Sequence, residues 1–104
     1  MKLYYSTNRL EKTLSDNRQI KKNYPREYNK IINRLSELIV ANSLSEISHV
    51  PPPRRHKLSG NKDGCWGIDY SPSFRIIIKP VNEFDVDDLT TVTEIMIMSL
   101  ENYH

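Results

Sequence analysis

The chain has one cysteine, three glycines and one tryptophan in 104 residues, and no apolar run long enough to cross a bilayer. The lone Cys65 cannot close an internal disulfide, and no second cysteine or histidine stands at metal-finger spacing from it. Such sparing cysteine use suits a reducing, cytoplasmic setting. Polar residues follow Met1 almost at once, so nothing at the start resembles the apolar stretch of a signal peptide. The sequence holds no glycine-rich phosphate loop, no paired-carboxylate metal site and no Cys–His nucleophile arrangement, and neither cofactor nor metal is expected. Repeats, linkers and low-complexity tracts are absent as well, so residues 1–104 are expected to form a single domain.

Hydrophobic residues make up 38% and charged residues 27% of the chain, which places it at the polar end of the folding range rather than among disordered sequences. The formal charge of +2 conceals an asymmetry. Before Cys65 there are thirteen lysines and arginines against six acidic residues; from Cys65 onward there are two against seven. A basic half of this kind fits a polyanionic partner, and it equally fits a solvated face.

Along the chain, residues 2–6 read as an edge strand, with Ser6, Thr7 or Asn8 available to cap a helix. A sparse stripe of Leu10, Leu14 and Ile20 predicts either one bent helix or two short ones, depending on whether Asp16-Asn17 interrupts it. Pro25 is placed to open the next helix. In that helix Tyr28, Ile31, Ile32, Leu35, Leu38 and Ile39 recur at spacings of three and four, the strongest helical signal present. Lys30 and Arg34 lie on its other face and serve either solubility or contact with RNA. The Pro51-Pro52-Pro53 run ends regular structure and favours an extended segment. Four strands follow, over residues 54–58, 65–70, 74–79 and 93–100, separated by turn residues 60–64, Ser71-Pro72-Ser73 and an acidic connection. The expected class is therefore α+β: an N-terminal strand, two helices, then a four-stranded antiparallel run packed on the helices.

Three polar clusters interrupt or end these strands: Arg54-Arg55-His56-Lys57, then Arg75, then Glu101-Asn102-Tyr103-His104. Arg75 stands out because a guanidinium inside an apolar strand needs a partner, either an internal carboxylate such as Asp69 or Glu101 or a ligand. Cleaving RNA without a metal needs a base for the ribose 2′-hydroxyl, a cation for the phosphorane and an acid for the leaving oxygen. His56, Arg75 and the terminal Tyr103 and His104 supply those chemistries, and Tyr103 or Tyr70 could stack on an unpaired base. Trp66 and the run Ile76-Ile77-Ile78 read as core.

The segments Arg55-His56-Lys57-Leu58-Ser59-Gly60, Gly64-Cys65-Trp66-Gly67-Ile68, Phe74-Arg75-Ile76-Ile77 and Glu101-Asn102-Tyr103-His104 resemble, in that order, motifs of the HigB toxins of the RelE/ParE superfamily. The resemblance implies a RelE-like fold and a type II toxin. Such a toxin is a ribosome-dependent, metal-free mRNA endonuclease that enters the A site and is held by a HigA-like helix-turn-helix antitoxin. It also implies catalytic roles for His56, Arg75, Tyr103 and His104, with Arg54, Arg55, Lys57, Lys62, Glu101 and Asn102 supporting them or binding RNA. Two positions depart from the motifs: Ser59 replaces a lysine, and Asn102 replaces an aspartate. Lys57 or Lys62 can make good the charge, and Glu101 the carboxylate. ParE-like relatives inhibit DNA gyrase instead, and a binding module without chemistry is a third reading.

Overall fold

A computed structural model describes residues 1–103. Strand β1 (Lys2–Tyr5) leads into helix α1 (Asn8–Leu14), whose first turn is capped by the Thr7 hydroxyl accepting from the Leu10 N–H at 3.1 Å. Asp16 does interrupt the helical stripe: its carboxylate accepts from the Arg18 N–H and starts a separate helix, α2 (Asn17–Asn23). Among the described residues three α-helices therefore stand where two were expected. Pro25 does not open the third. It occupies the second position of a turn in which the Glu27 N–H reaches back to the Tyr24 carbonyl at 3.2 Å, a place its fixed φ suits, and α3 (Tyr28–Val40) begins afterwards.

Helix α3 buries Ile31, Leu35 and Leu38, while Ile39 stays largely exposed although its neighbour Leu38 is fully buried, because it falls outside the buried stripe. The proline run is turned, not extended: the Arg54 N–H donates to the Val50 carbonyl at 3.3 Å, and the Pro51–Pro52 peptide is cis. Four strands follow as β2 (His56–Lys57), β3 (Trp66–Ser71), β4 (Phe74–Pro80) and β5 (Glu94–Asn102).

The five strands form one sheet in the order β1-β5-β4-β3-β2. The run from β2 to β5 is antiparallel as expected, but β1 joins β5 in parallel, making the sheet mixed. A parallel neighbour needs a crossover rather than a hairpin, and the helices and the rest of the sheet provide it. One face of the sheet, with Trp66, Ile68, Ile76, Ile78, Ile95 and Ile97, packs on the helices to form the main core. Each fully buried side chain of this size contributes about 1.5–3 kcal/mol of hydrophobic stabilisation. The opposite face carries only a small apolar cluster of Leu58, Cys65 and Ile77 with Met98.

A bulge in β5 decides what that second face presents. Ile97 pairs with Ile78 but Ser99 pairs with Ile77, so Met98 is inserted between two ladder positions. Strict alternation from Ile95 and Ile97 would turn Glu101 toward the helices. The inserted residue resets the phase, sending Leu100 inward to the core and Glu101 outward, opposite Arg75.

Candidate active site

On the sheet face away from the helices, Asp69, Arg75 and Glu101 form a row across β3, β4 and β5, and His56 of β2 pairs with Gly67 beside it. Arg75 is the hub. Its Nη2 donates to Glu101 Oε1 at 2.8 Å, and its Nη1 lies 3.3 Å from His56 Nε2. The guanidinium also sits 4.9 Å from the centroid of the Tyr103 ring, in cation–π range. Lys62 reaches Glu101 Oε2 at 3.3 Å from the turn between β2 and β3. The hydrogen bond from Arg75 holds the Glu101 carboxyl below the usual carboxylate range, burial partly opposing and Lys62 adding to the effect. Glu101 is therefore ionised at neutral pH, and the pair is lost only as pH falls through that lowered value.

A second set of contacts fixes Tyr103. The buried Asp69 carboxylate accepts from Arg54 Nε at 2.7 Å and from the Tyr103 hydroxyl at 3.0 Å. Arg54 Nη2 adds a contact to the Tyr103 oxygen at 3.3 Å, and the Tyr103 N–H donates to the Ser73 carbonyl. The bond to Asp69, with Tyr103 adding to it, raises the pKa of Arg54 further above its ordinary value. Arg54 is also the one non-glycine among the described residues with positive φ, at 45°. Strained backbone of this kind costs on the order of 1–3 kcal/mol and recurs at functional sites.

The imidazole of His56 has a defined tautomer. Nδ1 lies 2.7 Å from the Arg54 carbonyl, which can only accept, so Nδ1 carries the proton and the Nε2 lone pair faces Arg75. That is the form in which Nε2 can take a proton. The ring lies close against Gly67: a Cβ there would stand 2.8 Å from His56 Cε1, 3.0 Å from Nε2 and 3.2 Å from Arg75 Cδ. Gly67→Ala is expected to push the ring off Arg75, because β2 is only two residues long and yields more easily than the central strands. Cleavage should fall at least tenfold, while the melting temperature changes by only a few degrees. Circular dichroism melts beside single-turnover assays check this, and unchanged cleavage would show that the ring's present seat is unimportant.

The structure thus brings His56, Arg75, Tyr103, Arg54, Lys62 and Glu101 to one surface. Three other candidates stand apart from it. Arg55 turns away, and its Nη1 donates to the carbonyls of Leu44, Ser45 and Ile47, closing the 3₁₀ turn Leu44–Glu46. Lys57 follows His56 by one residue and so faces the other side, with Nζ 5.8 Å from the Trp66 ring. Asn102 is exposed opposite Phe74 at the end of the β4–β5 ladder. His104 lies outside the described residues. The carboxylate pair open to Arg75 is resolved in favour of Glu101, and Asp69 serves Arg54 instead. Among the described residues no group of three or more His, Cys, Asp or Glu is placed to hold a metal ion. No described helix is long and apolar enough to cross a membrane.

No family model matches this sequence, and no curated protein does. Solved structures match over nearly the whole chain. YafQ from E. coli strain BL21(DE3) is 16% identical, with 97% of this chain and 91% of that one covered at a TM-score of 0.59. The YoeB–YefM complex from Staphylococcus aureus matches at 15% identity, with coverage of 100% and 97% and a TM-score of 0.57. The chain has the fold of the RelE/ParE toxins. A YoeB/ParE toxin from Agrobacterium tumefaciens, 12% identical over the full length of both chains at a TM-score of 0.59, shares it too. At such identities the likeness fixes the RelE-like architecture, and chemistry must be argued from the side chains.

The sequence offered Asp69 only as a possible partner for Arg75 and Gly67 only within a motif, and gave neither a place of its own in the site. Both lie on the outward phase of β3, between the inward Trp66, Ile68 and Tyr70, and in the same phase as Arg75 on the neighbouring strand. Strict alternation along β3 was the available signal for them.

Proposed function

We propose that this protein is the toxin of a type II toxin–antitoxin pair, of the HigB kind, and that it cleaves mRNA in the ribosomal A site without a metal. The observation that carries the reading is the convergence of His56, Arg75 and Tyr103 on one face, with Arg75 touching both of the others. In this reading His56 Nε2 removes the 2′-hydroxyl proton, and the 2′-oxygen attacks the adjacent phosphorus. Arg75 stabilises the charge of the phosphorane, and Tyr103 orients the strand beside it. Proton return to the leaving 5′-oxygen falls to His104, or to the His56 imidazolium after rearrangement. Lys62, rather than Lys57, replaces the positive charge lost at Ser59, and Glu101 replaces the carboxylate lost at Asn102. A HigA-like antitoxin would silence the site, and the basic N-terminal half would meet ribosomal RNA.

The same fold serves gyrase inhibition in ParE-like proteins, so the test separates the two. Wild type and His56→Ala are expressed in growing cells, with mRNA 5′ ends mapped and plasmid topoisomers resolved in parallel. New ends inside translated frames, reduced roughly 10²- to 10⁴-fold in rate by the substitution, are expected. On purified ribosomes, with magnesium kept at the level the ribosome needs, cutting should persist when transition metals are chelated. Intact mRNA with altered supercoiling would move the protein to the gyrase-inhibiting branch.

A further inference from the structure

A groove of about 470 Å³ opens beside the Tyr103 end of the cluster, within the size range of small-ligand pockets. We propose that this groove holds an unstacked nucleobase of the RNA strand, from a nucleotide flanking the one that is cut, and so helps choose the cleavage sequence. The inference rests on the nuclease reading and adds a base-binding site to it.

Three features favour a base over other occupants. The walls are Pro51, Pro52 and Pro72 with Tyr70, rigid apolar surfaces of the kind against which the face of a base can pack. Burial pushes the Tyr70 phenol far above its ordinary value, so this wall stays neutral. Asp69, Arg54 and Tyr103 line the groove and also belong to the cluster, making the two continuous. Asp69 Oδ2 takes the two short bonds, whereas Oδ1 has only the long 3.4 Å contact from Arg54 and retains acceptor capacity for a base edge that offers N–H groups. Finally, the exposed Lys30 of α3 lines the groove and supplies a cation for a backbone phosphate. An amphipathic partner helix would need a longer apolar stripe than these three prolines provide.

The test uses the full chain, free of antitoxin, and short single-stranded RNAs with 2′-O-methyl riboses that cannot be cut. Amide resonances of Lys30, Tyr70 and Ser71 should shift on binding, because all three line the groove. Lys30→Ala, on an exposed helical position, should weaken binding several-fold and flatten its salt dependence by about one phosphate contact. Ser71→Trp, which fills the groove, should weaken it at least tenfold. On ribosomes the same variants should redistribute the cut sites among codons and leave the maximal rate within a few-fold. Shifts confined to the face around His56 and Arg75 would overturn the base site and leave the nuclease intact. Shifts at Lys30, Tyr70 and Ser71 with an antitoxin peptide but not with RNA would overturn it too. Groove binding by a protein that cuts no mRNA would keep the base site and remove the nuclease.

Discussion

Arg75→Ala is expected to slow RNA cleavage about 10²- to 10³-fold, the loss found when a donor aimed at developing negative charge is removed. The stability cost should be small. Glu101 is partly exposed and keeps Lys62 at 3.3 Å, so loss of the Arg75 pair removes a screened interaction of roughly 0.2–1 kcal/mol. The guanidinium is held in a way that stability alone does not require. Its Nε is buried and has no hydrogen-bond partner among the described residues, a state that costs about 1–3 kcal/mol. Its other two nitrogens are spread over Glu101 and His56, a fork that a phosphate bridging the same space can engage. Arg75→Lys keeps the charge without the fork, and should recover less than a tenth of the lost rate. Single-turnover cleavage by both variants, compared at matched ribosome occupancy, measures this. Alanine at position 75 cutting within threefold of wild type would remove Arg75 from the phosphate-binding role.

Several parts of this arrangement were legible in the sequence because their causes are local. The i, i+3, i+4 stripe of α3 reports its own buried face, and Arg75 within an apolar strand declares that one side of β4 is not core. The cap at Asp16 was visible as a possible break, since a carboxylate two residues before a backbone N–H competes with helix continuation. What stayed hidden depends on contacts distant in sequence. Composition does not distinguish Arg54 from Arg55. Only the backbone turn at Arg54 sends one guanidinium to Asp69, fifteen residues on, and the other to the carbonyls of Leu44 and Ile47. The inserted Met98 leaves no mark in the β5 sequence, because a bulge is a property of pairing, yet it alone places Glu101 on the Arg75 face. The parallel seat of β1 is likewise set by the strand it meets.

Asp69→Ala should have the largest effect on stability, lowering it by about 2 kcal/mol, the scale of hydrogen bonds to a charged group, discounted because Arg54 is partly exposed. For a domain of this size that corresponds to a fall of roughly 10 °C in melting temperature. Asp69→Asn should recover part of that loss, because both short bonds go to Oδ2, where the amide oxygen can accept them, while the charge opposite Arg54 is gone. Asp69 acts on the chemistry through Tyr103, as a positioning residue, and loss of fold must be told apart from loss of position. A double-mutant cycle does so. Tyr103→Phe removes only the hydroxyl that Asp69 holds, so its cost to cleavage should largely disappear once Asp69 is alanine. Measured below the melting range of every variant, non-additive losses would mean that Asp69 works by fixing the Tyr103 ring against Arg75. Strictly additive losses would mean that Asp69 supports only the fold, and that the ring is held by its backbone bond to Ser73 and its stacking on the two guanidinium groups.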